Sequence, residues 1–162
     1  MNEDALVKRL LDELRTKGWT IAVAESCTGG ELSARLSAPA GSSDVFMGGV
    51  IPYADSAKRS LLGVASELIS EHGAVSAAVA LAMARGARER LGSDVGIGIT
   101  GIAGPSGARP DKPVGLVFIA ISGPSGDDEP RREVWQGARE SNRAHSVECA
   151  IESLLEYAAR EN

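Results

Sequence analysis

Histidine and cysteine are scarce in this chain, two of each in 162 residues, and aromatic side chains make up only 4% of it. His72 and His145 have no metal-like companions, and Cys27 and Cys149 stand far apart, so no metal site and no cofactor is expected. Two cysteines without a C-x-x-C pair cannot build a disulfide framework, which fits a reducing cytoplasm. No apolar run is long enough to cross a bilayer and no apolar segment opens the chain, so a soluble, cytoplasmic protein is expected. A net charge of -5 leaves no excess of positive surface, and neither nucleic acid nor an anionic membrane is expected as a partner. A Walker-type phosphate loop is absent as well.

What the chain does have is glycine, 19 residues of it, and 43% hydrophobic residues, enough for one real core. Many tight turns and few aromatics favour an α/β domain over an all-β sandwich, and no linker or repeat divides residues 1–162. Leu6, Leu10, Leu11 and Leu14 recur at helical spacing between Glu3 and Lys17, with Gly18 as the stop. Strands are expected over 20–24, 45–51, 95–100, 114–122 and 131–136. Helices are expected over 31–36, from Asp55 or Ser56 to Gly63, over 66–71, 76–91 and about 141–159. The segment 123–128 reads as a hairpin connection, which makes the last strand an antiparallel neighbour of the one before.

Chemistry concentrates at Ala24-Glu25-Ser26-Cys27-Thr28-Gly29-Gly30, which places a carboxylate, a hydroxyl, a thiol and two glycines between a strand and a helix. Gly29 and Gly30 let backbone approach a ligand and leave helix N-terminal N–H groups for an anion or an oxyanion. The plain alternative is an ordinary βα turn in which Ser26 and Thr28 only cap a helix. With histidine so rare, a Ser-His-Asp triad is poorly supported, although His72 before Gly73 remains a candidate base. Lysine is the other partner known for serine nucleophiles. Lys58 suits that role, because a position in the first turn of its helix sets it against the positive end of the macrodipole and lowers its pKa.

Tyr53 stands just before that helix, where it suits a hydrogen bond to the lysine or to a substrate, or a half-buried packing role. Thr100 and the glycine-rich loop after it form a candidate anion nest, though turn chemistry alone favours the same residues. Arg139 and Arg143 flank the start of the last helix and are candidates for holding a phosphate. Cys27 is the rival nucleophile, or a buried inert thiol. Gly96-Ile97-Gly98-Ile99-Thr100-Gly101 has the form G-x-G-x-x-G, but its glycines fall inside a strand, no helix opens after them and no acidic residue follows at the right distance.

Seven ordered stretches together resemble one family: residues 24–30, Gly41-Ser42-Ser43, Gly49 to Lys58 with Tyr53, Leu62-Gly63-Val64, His72 to Ser76, Thr100 to Pro105, and Lys112 to Gly115. They are similar to the CinA C-terminal domain, also known as the PncC or nicotinamide mononucleotide deamidase family. The resemblance runs over essentially the whole chain. It implies a three-layer α/β/α sandwich with a mixed, mostly parallel sheet. It also implies an amidohydrolase that converts nicotinamide mononucleotide to nicotinic acid mononucleotide and ammonia, through a serine/lysine dyad carried by Ser26 and Lys58 with Tyr53 beside them.

On that reading, contacts to a small nucleotide substrate are expected from Cys27, Thr28, Gly29, Gly30, Ser43, Thr100, Gly101 and Arg139. A homodimer is compatible with the apolar packing helices. Two departures stand out. Family members carry Gly-Asp-Arg where this chain has Gly137-Ala138-Arg139, and Tyr-Ser-Asn where it has Tyr53-Ala54-Asp55, a change expected to keep an N-cap at Asp55. Many relatives carry a larger N-terminal domain, whereas Met1 leads here directly into a helix, as expected of a stand-alone protein. A non-catalytic nucleotide-binding or protein-interaction domain, and a hydrolase of another amide or ester, are the alternatives.

Overall fold

The alternation of side chains along the first two inner strands decides how the layers assemble. The computed structural model describes residues 2–160. In β1 (Ile21–Glu25) the large Ile21 and Val23 turn to one face of the sheet and the small Ala22 and Ala24 to the other. β3 (Val95–Gly101) repeats the pattern, with Val95, Ile97 and Ile99 on the first face and Gly96, Gly98 and Thr100 on the second.

The large-residue face is covered by α1 (Glu3–Lys17), α2 (Glu31–Ser37) and α6 (Arg139–Ala159), whose Leu10, Leu14, Leu32, Leu36, Ile151 and Leu154 complete the main core. The small-residue face receives α5 (Ala77–Leu91), which follows α3 (Asp55–Leu62) and α4 (Ser66–His72). Here the helix backbone lies almost on the sheet. A Cβ at Gly96 would overlap the Ala84 carbonyl, and one at Gly98 would overlap the Ala80 carbonyl and approach the Ala84 nitrogen to 2.8 Å. Gly96 and Gly98 of the dinucleotide-like pattern are therefore spacers for a helix packed at close range, and Gly101 makes room for Leu116 and Val117 of the next strand.

β2 (Phe46–Val50) lies at one edge, and the order runs β2-β1-β3-β4, with β4 (Leu116–Gly123) bordered in turn by β5 (Gly126–Asp127) and β6 (Arg131–Val134). β1 pairs in parallel with β2 and β3, whereas β4 is antiparallel to β3, β5 and β6. The result is the expected three-layer α/β/α arrangement around a mixed sheet in which every strand but β4 points the same way. The hairpin after β4 is as expected, with β5 as an additional short rung.

From β1 the chain crosses to β2 through α2 on one face, and from β2 it crosses to β3 through α3, α4 and α5 on the other. The crevice between β1 and β3 is thus a topological switch point, the place where open α/β sheets bind ligands beyond the carboxyl ends of their strands. Residues 26–30, 51–54 and 102–115 and the start of α6 all gather at that end.

Several boundaries differ from expectation: β4 starts at Leu116 rather than 114, β6 ends at Val134 rather than 136, and two helix starts are shifted. α3 starts at Asp55 with Ala54 as its N-cap, so neither Asp55 nor Ser56 caps it, and α6 starts two residues early, at Arg139, with Ala138 as its N-cap. Neither alanine supplies a side-chain cap, so both helices have bare starts.

Ala138→Asp is expected to raise stability by about 1 kcal/mol, or about 2–4 °C in melting temperature for a chain of this size, read by thermal unfolding. Gly98→Ala is expected to lower it by about 1–3 kcal/mol in urea titration, because the added methyl meets α5 backbone rather than a flexible side chain.

Candidate active site

The turn after β1 is built by three local constraints. Ser26 N–H donates to the Ile99 carbonyl at 2.9 Å, continuing the β1–β3 ladder one residue beyond the strand. Gly29 N–H closes a β-turn on the Ser26 carbonyl at 3.1 Å. Gly30, at φ 99°, forms the N-cap of α2, a left-handed position that glycine takes without strain. Below the turn, the fully buried Glu25 carboxylate accepts from Leu32 N–H (2.8 Å), Ser33 N–H (3.0 Å) and Ser33 Oγ–H (2.8 Å). It thereby caps α2 from the strand and fixes where the helix starts. The sequence signal for this was a carboxylate seven residues before a helix turn, a spacing that no local capping pattern contains.

Lys58, in the first half of α3, is 2% exposed and points inward to Ser26. Its Nζ lies 3.3 Å from Ser26 Oγ and donates to the Tyr53 carbonyl at 3.1 Å, with Asp55 Oδ1 at 3.8 Å. Burial lowers the Lys58 pKa below the ordinary lysine range, and the Asp55 carboxylate opposes that shift. Desolvation is the largest cause of that shift, which has the direction expected from the sequence. Burial pushes the neighbouring Cys27 thiol up to about 12, which leaves it protonated and a poor nucleophile.

Cys27 and Ser26 line a cavity of about 240 Å³ with Tyr53, Gly101, Gly104 and Arg139. Arg139 donates to the Gly104 carbonyl (2.8 Å) and to the Tyr53 hydroxyl (3.2 Å), tying the loop after β3 to the segment before α3. Tyr53 is exposed rather than half-buried, and it serves the lysine through its carbonyl and the arginine through its phenol. Ala103, Ser106 and Gly107 also border the cavity, and sequence reasoning had assigned them no role beyond their loop.

Other expected residues are placed differently. Thr28 is fully buried behind the turn, and its carbonyl accepts from Arg143 Nη2 at 3.1 Å. Gly29 N–H is occupied by Ser26 and the Cys27 N–H faces its own thiol, while the N–H groups of Thr28 and Gly30 have no partner among the described residues. Thr100 faces α5, and its hydroxyl donates to the Ala74 carbonyl at 2.9 Å, so it holds a turn rather than lining the cavity. Ser43 lies in the short 3-10 turn Ser42–Asp44, before β2 and hence at the opposite end of the sheet from Ser26. It is not brought to the site in this chain.

His72 and His145 are both outside the cavity, and no metal-ligating cluster occurs among the described residues. A larger cleft of about 390 Å³ between α1 and α2 is lined by Asp4, Val7, Lys8, Arg35, Ala38 and Pro39, with no serine, threonine or cysteine among them. No helix among the described residues is long and apolar enough to cross a membrane.

The model of the CinA C-terminal domain matches residues 3–158. A CinA-like protein from Gemmatimonas aurantiaca is 48% identical over 159 residues, 98% of this chain and 37% of the relative. One from Synechococcus sp. strain RCC307 is 56% identical over 125 residues, 77% of this chain and 30% of the relative. The chain therefore spans about a third of the length of these curated relatives. Among solved structures, a competence-damaged protein (CinA) superfamily protein from Klebsiella pneumoniae 700603 has a TM-score of 0.94 at 35% identity, over 99% of both chains. A competence/damage inducible protein from Agrobacterium tumefaciens has a TM-score of 0.91 at 37% identity, over 95% of this chain and 94% of its own. This chain belongs to the CinA C-terminal domain family.

Proposed function

We propose that the protein is a serine amidohydrolase that uses a Ser26/Lys58 dyad to convert nicotinamide mononucleotide to nicotinic acid mononucleotide and ammonia. The observation that carries this reading is the buried Lys58 nitrogen 3.3 Å from Ser26 Oγ, with burial favouring its neutral form. A neutral amine at that distance takes the hydroxyl proton as Oγ attacks, and the distance is one that tightens when substrate binds. Attack on the carboxamide carbon forms the Oγ–C bond and a tetrahedral oxyanion. The N–H groups of Cys27 and Thr28, at the two central positions of the turn, neither of them engaged by another backbone carbonyl, are the donors we assign to that oxyanion.

The Lys58 ammonium then returns its proton to the leaving nitrogen. The C–N bond breaks, ammonia departs and an acyl ester remains on Ser26. Water, deprotonated by the same lysine, cleaves that ester and frees the carboxylate product. The choice of substrate follows the family resemblance, and it is supported by Arg139 on the cavity wall, in a chain of net negative charge. Arg139, with the Ser106 hydroxyl and the backbone near Gly107, suits the 5′-phosphate.

Ser26→Ala and Lys58→Ala are each expected to lower ammonia release from nicotinamide mononucleotide by about 10³-fold or more, while Cys27→Ala stays within several-fold of the native rate. Loss of activity confined to Cys27→Ala points instead to a thiol enzyme. Thermal stabilisation by the mononucleotide with no ammonia released selects the non-catalytic binding reading.

The pH dependence has a definite sign. Lys58 acts as the free amine, so kcat/KM rises with pH and levels off above the Lys58 pKa, which lies below the ordinary lysine range. Asp55 stabilises the ammonium, so Asp55→Asn is expected to move the rising limb to lower pH, measured as kcat/KM against pH. An unmoved limb contradicts the assignment of Lys58 as the base.

A further inference from the structure

We infer that Arg143 is a positioning residue for the reaction: by holding the Thr28 carbonyl it fixes the turn that carries the Cys27 and Thr28 N–H groups assigned to the forming oxyanion. The inference rests on the Ser26 nucleophile proposed above.

The turn that carries those donors is intrinsically soft, because Gly29 follows it at φ 59° and Gly30 at φ 99°. A peptide unit that leads into glycine can reorient at low steric cost. The unit joining Thr28 to Gly29 is restrained at both ends. Its N–H is held by the Ser26 carbonyl, and its C=O is held by Glu31 N–H (3.1 Å) and by Arg143 Nη2 (3.1 Å). Of these holds only Arg143 comes from outside the turn and its own helix, reaching across from α6 over 115 positions of sequence. The guanidinium also packs against Gly29, where a Cβ would lie 3.3 Å from Nη2.

Among the described residues Arg143 has no acidic partner, and its hydrogen bonding is confined to Thr28. Its buried Nε and the buried Thr28 Oγ1 have no hydrogen-bond partner among the described residues. Arg143 sits one helical turn after Arg139, so α6 presents two cations to one region with separate tasks. Arg139 lines the cavity, and Arg143 stands behind the turn. The charge of Arg143 is felt at the turn, where it opposes the burial that raises the Cys27 thiol.

Steady-state ammonia release from nicotinamide mononucleotide and melting temperature, measured together on Arg143→Met and Arg143→Lys, test the inference. The Met variant is expected to lose about 10–100-fold in kcat with KM within about twofold and a melting temperature equal to or above that of the native protein. The Lys variant is expected to recover several-fold of the loss. A melting temperature that falls along with kcat makes the role structural, a rise in KM at constant kcat makes Arg143 a substrate contact, and an unchanged kcat removes any role. Each of these overturns the inference.

A second measurement separates the inference from the choice of substrate. A fluorophosphonate forms an Oγ–P bond at Ser26 and loses fluoride, with the hydroxyl proton passing to Lys58, and its phosphoryl oxygen needs the same two N–H donors. Labelling of Ser26 is expected to slow about 10-fold or more in Arg143→Met. If the native protein is labelled but releases no ammonia, the substrate assignment fails and the labelling ratio alone decides the role of Arg143. A native protein that does neither overturns both.

Discussion

Burial of one lysine amine is the constraint around which this site is organised. A charged ammonium at the Lys58 position is penalised by desolvation, and the one carboxylate in reach, Asp55, compensates only in part. The neutral amine still needs partners, and the fold supplies them as the Tyr53 carbonyl and Ser26 Oγ. Those two groups come from the segment after β2 and the turn after β1, which meet only because the parallel strands place their carboxyl ends side by side. The close fit of α5 to the glycine face of β3, the packing of Leu62 beneath α3, and the hold of Glu25 on α2 thus all serve one pair of atoms. With this pair in place, a serine hydroxyl, an ordinarily poor nucleophile, has a buried lysine amine beside it.

The layers follow from side-chain size. Isoleucine and valine on one face of β1 and β3 keep α1, α2 and α6 at ordinary packing distance, while alanine and glycine on the other draw α5 nearly onto the sheet. That asymmetry explains a glycine pattern which superficially matches a cofactor motif. It also fixes the depth at which α3 lies, and so the depth of Lys58.

Much of this was legible in the residues. Helical spacing of leucines, short β-branched strands and glycine stops located nearly every element, and the ordered motifs pointed to Ser26 and Lys58, which the structure brings together. Other features were not legible, for physical reasons. The start of α6 at Arg139 was missed because its N-cap is Ala138, which carries no capping signal, and the same holds for Ala54 and α3. Thr100 and Ser43 were expected at the substrate, but strand alternation turns Thr100 toward α5, and the direction of β2 puts Ser43 at the far end of the sheet. Arg143 had been read only as a candidate for holding phosphate, and its contact with Thr28 spans two elements that no local pattern links.

The central claim is that Ser26, activated by Lys58, becomes acylated during turnover. Rapid quenching of a reaction with nicotinamide mononucleotide, followed by peptide mass spectrometry, tests it most directly. The account predicts an ester of the nicotinate mononucleotide acyl group on the peptide that contains Ser26, localised to that serine and removed by hydroxylamine. An adduct on Cys27, or ammonia released with Ser26 unmodified at every quench time, would contradict it.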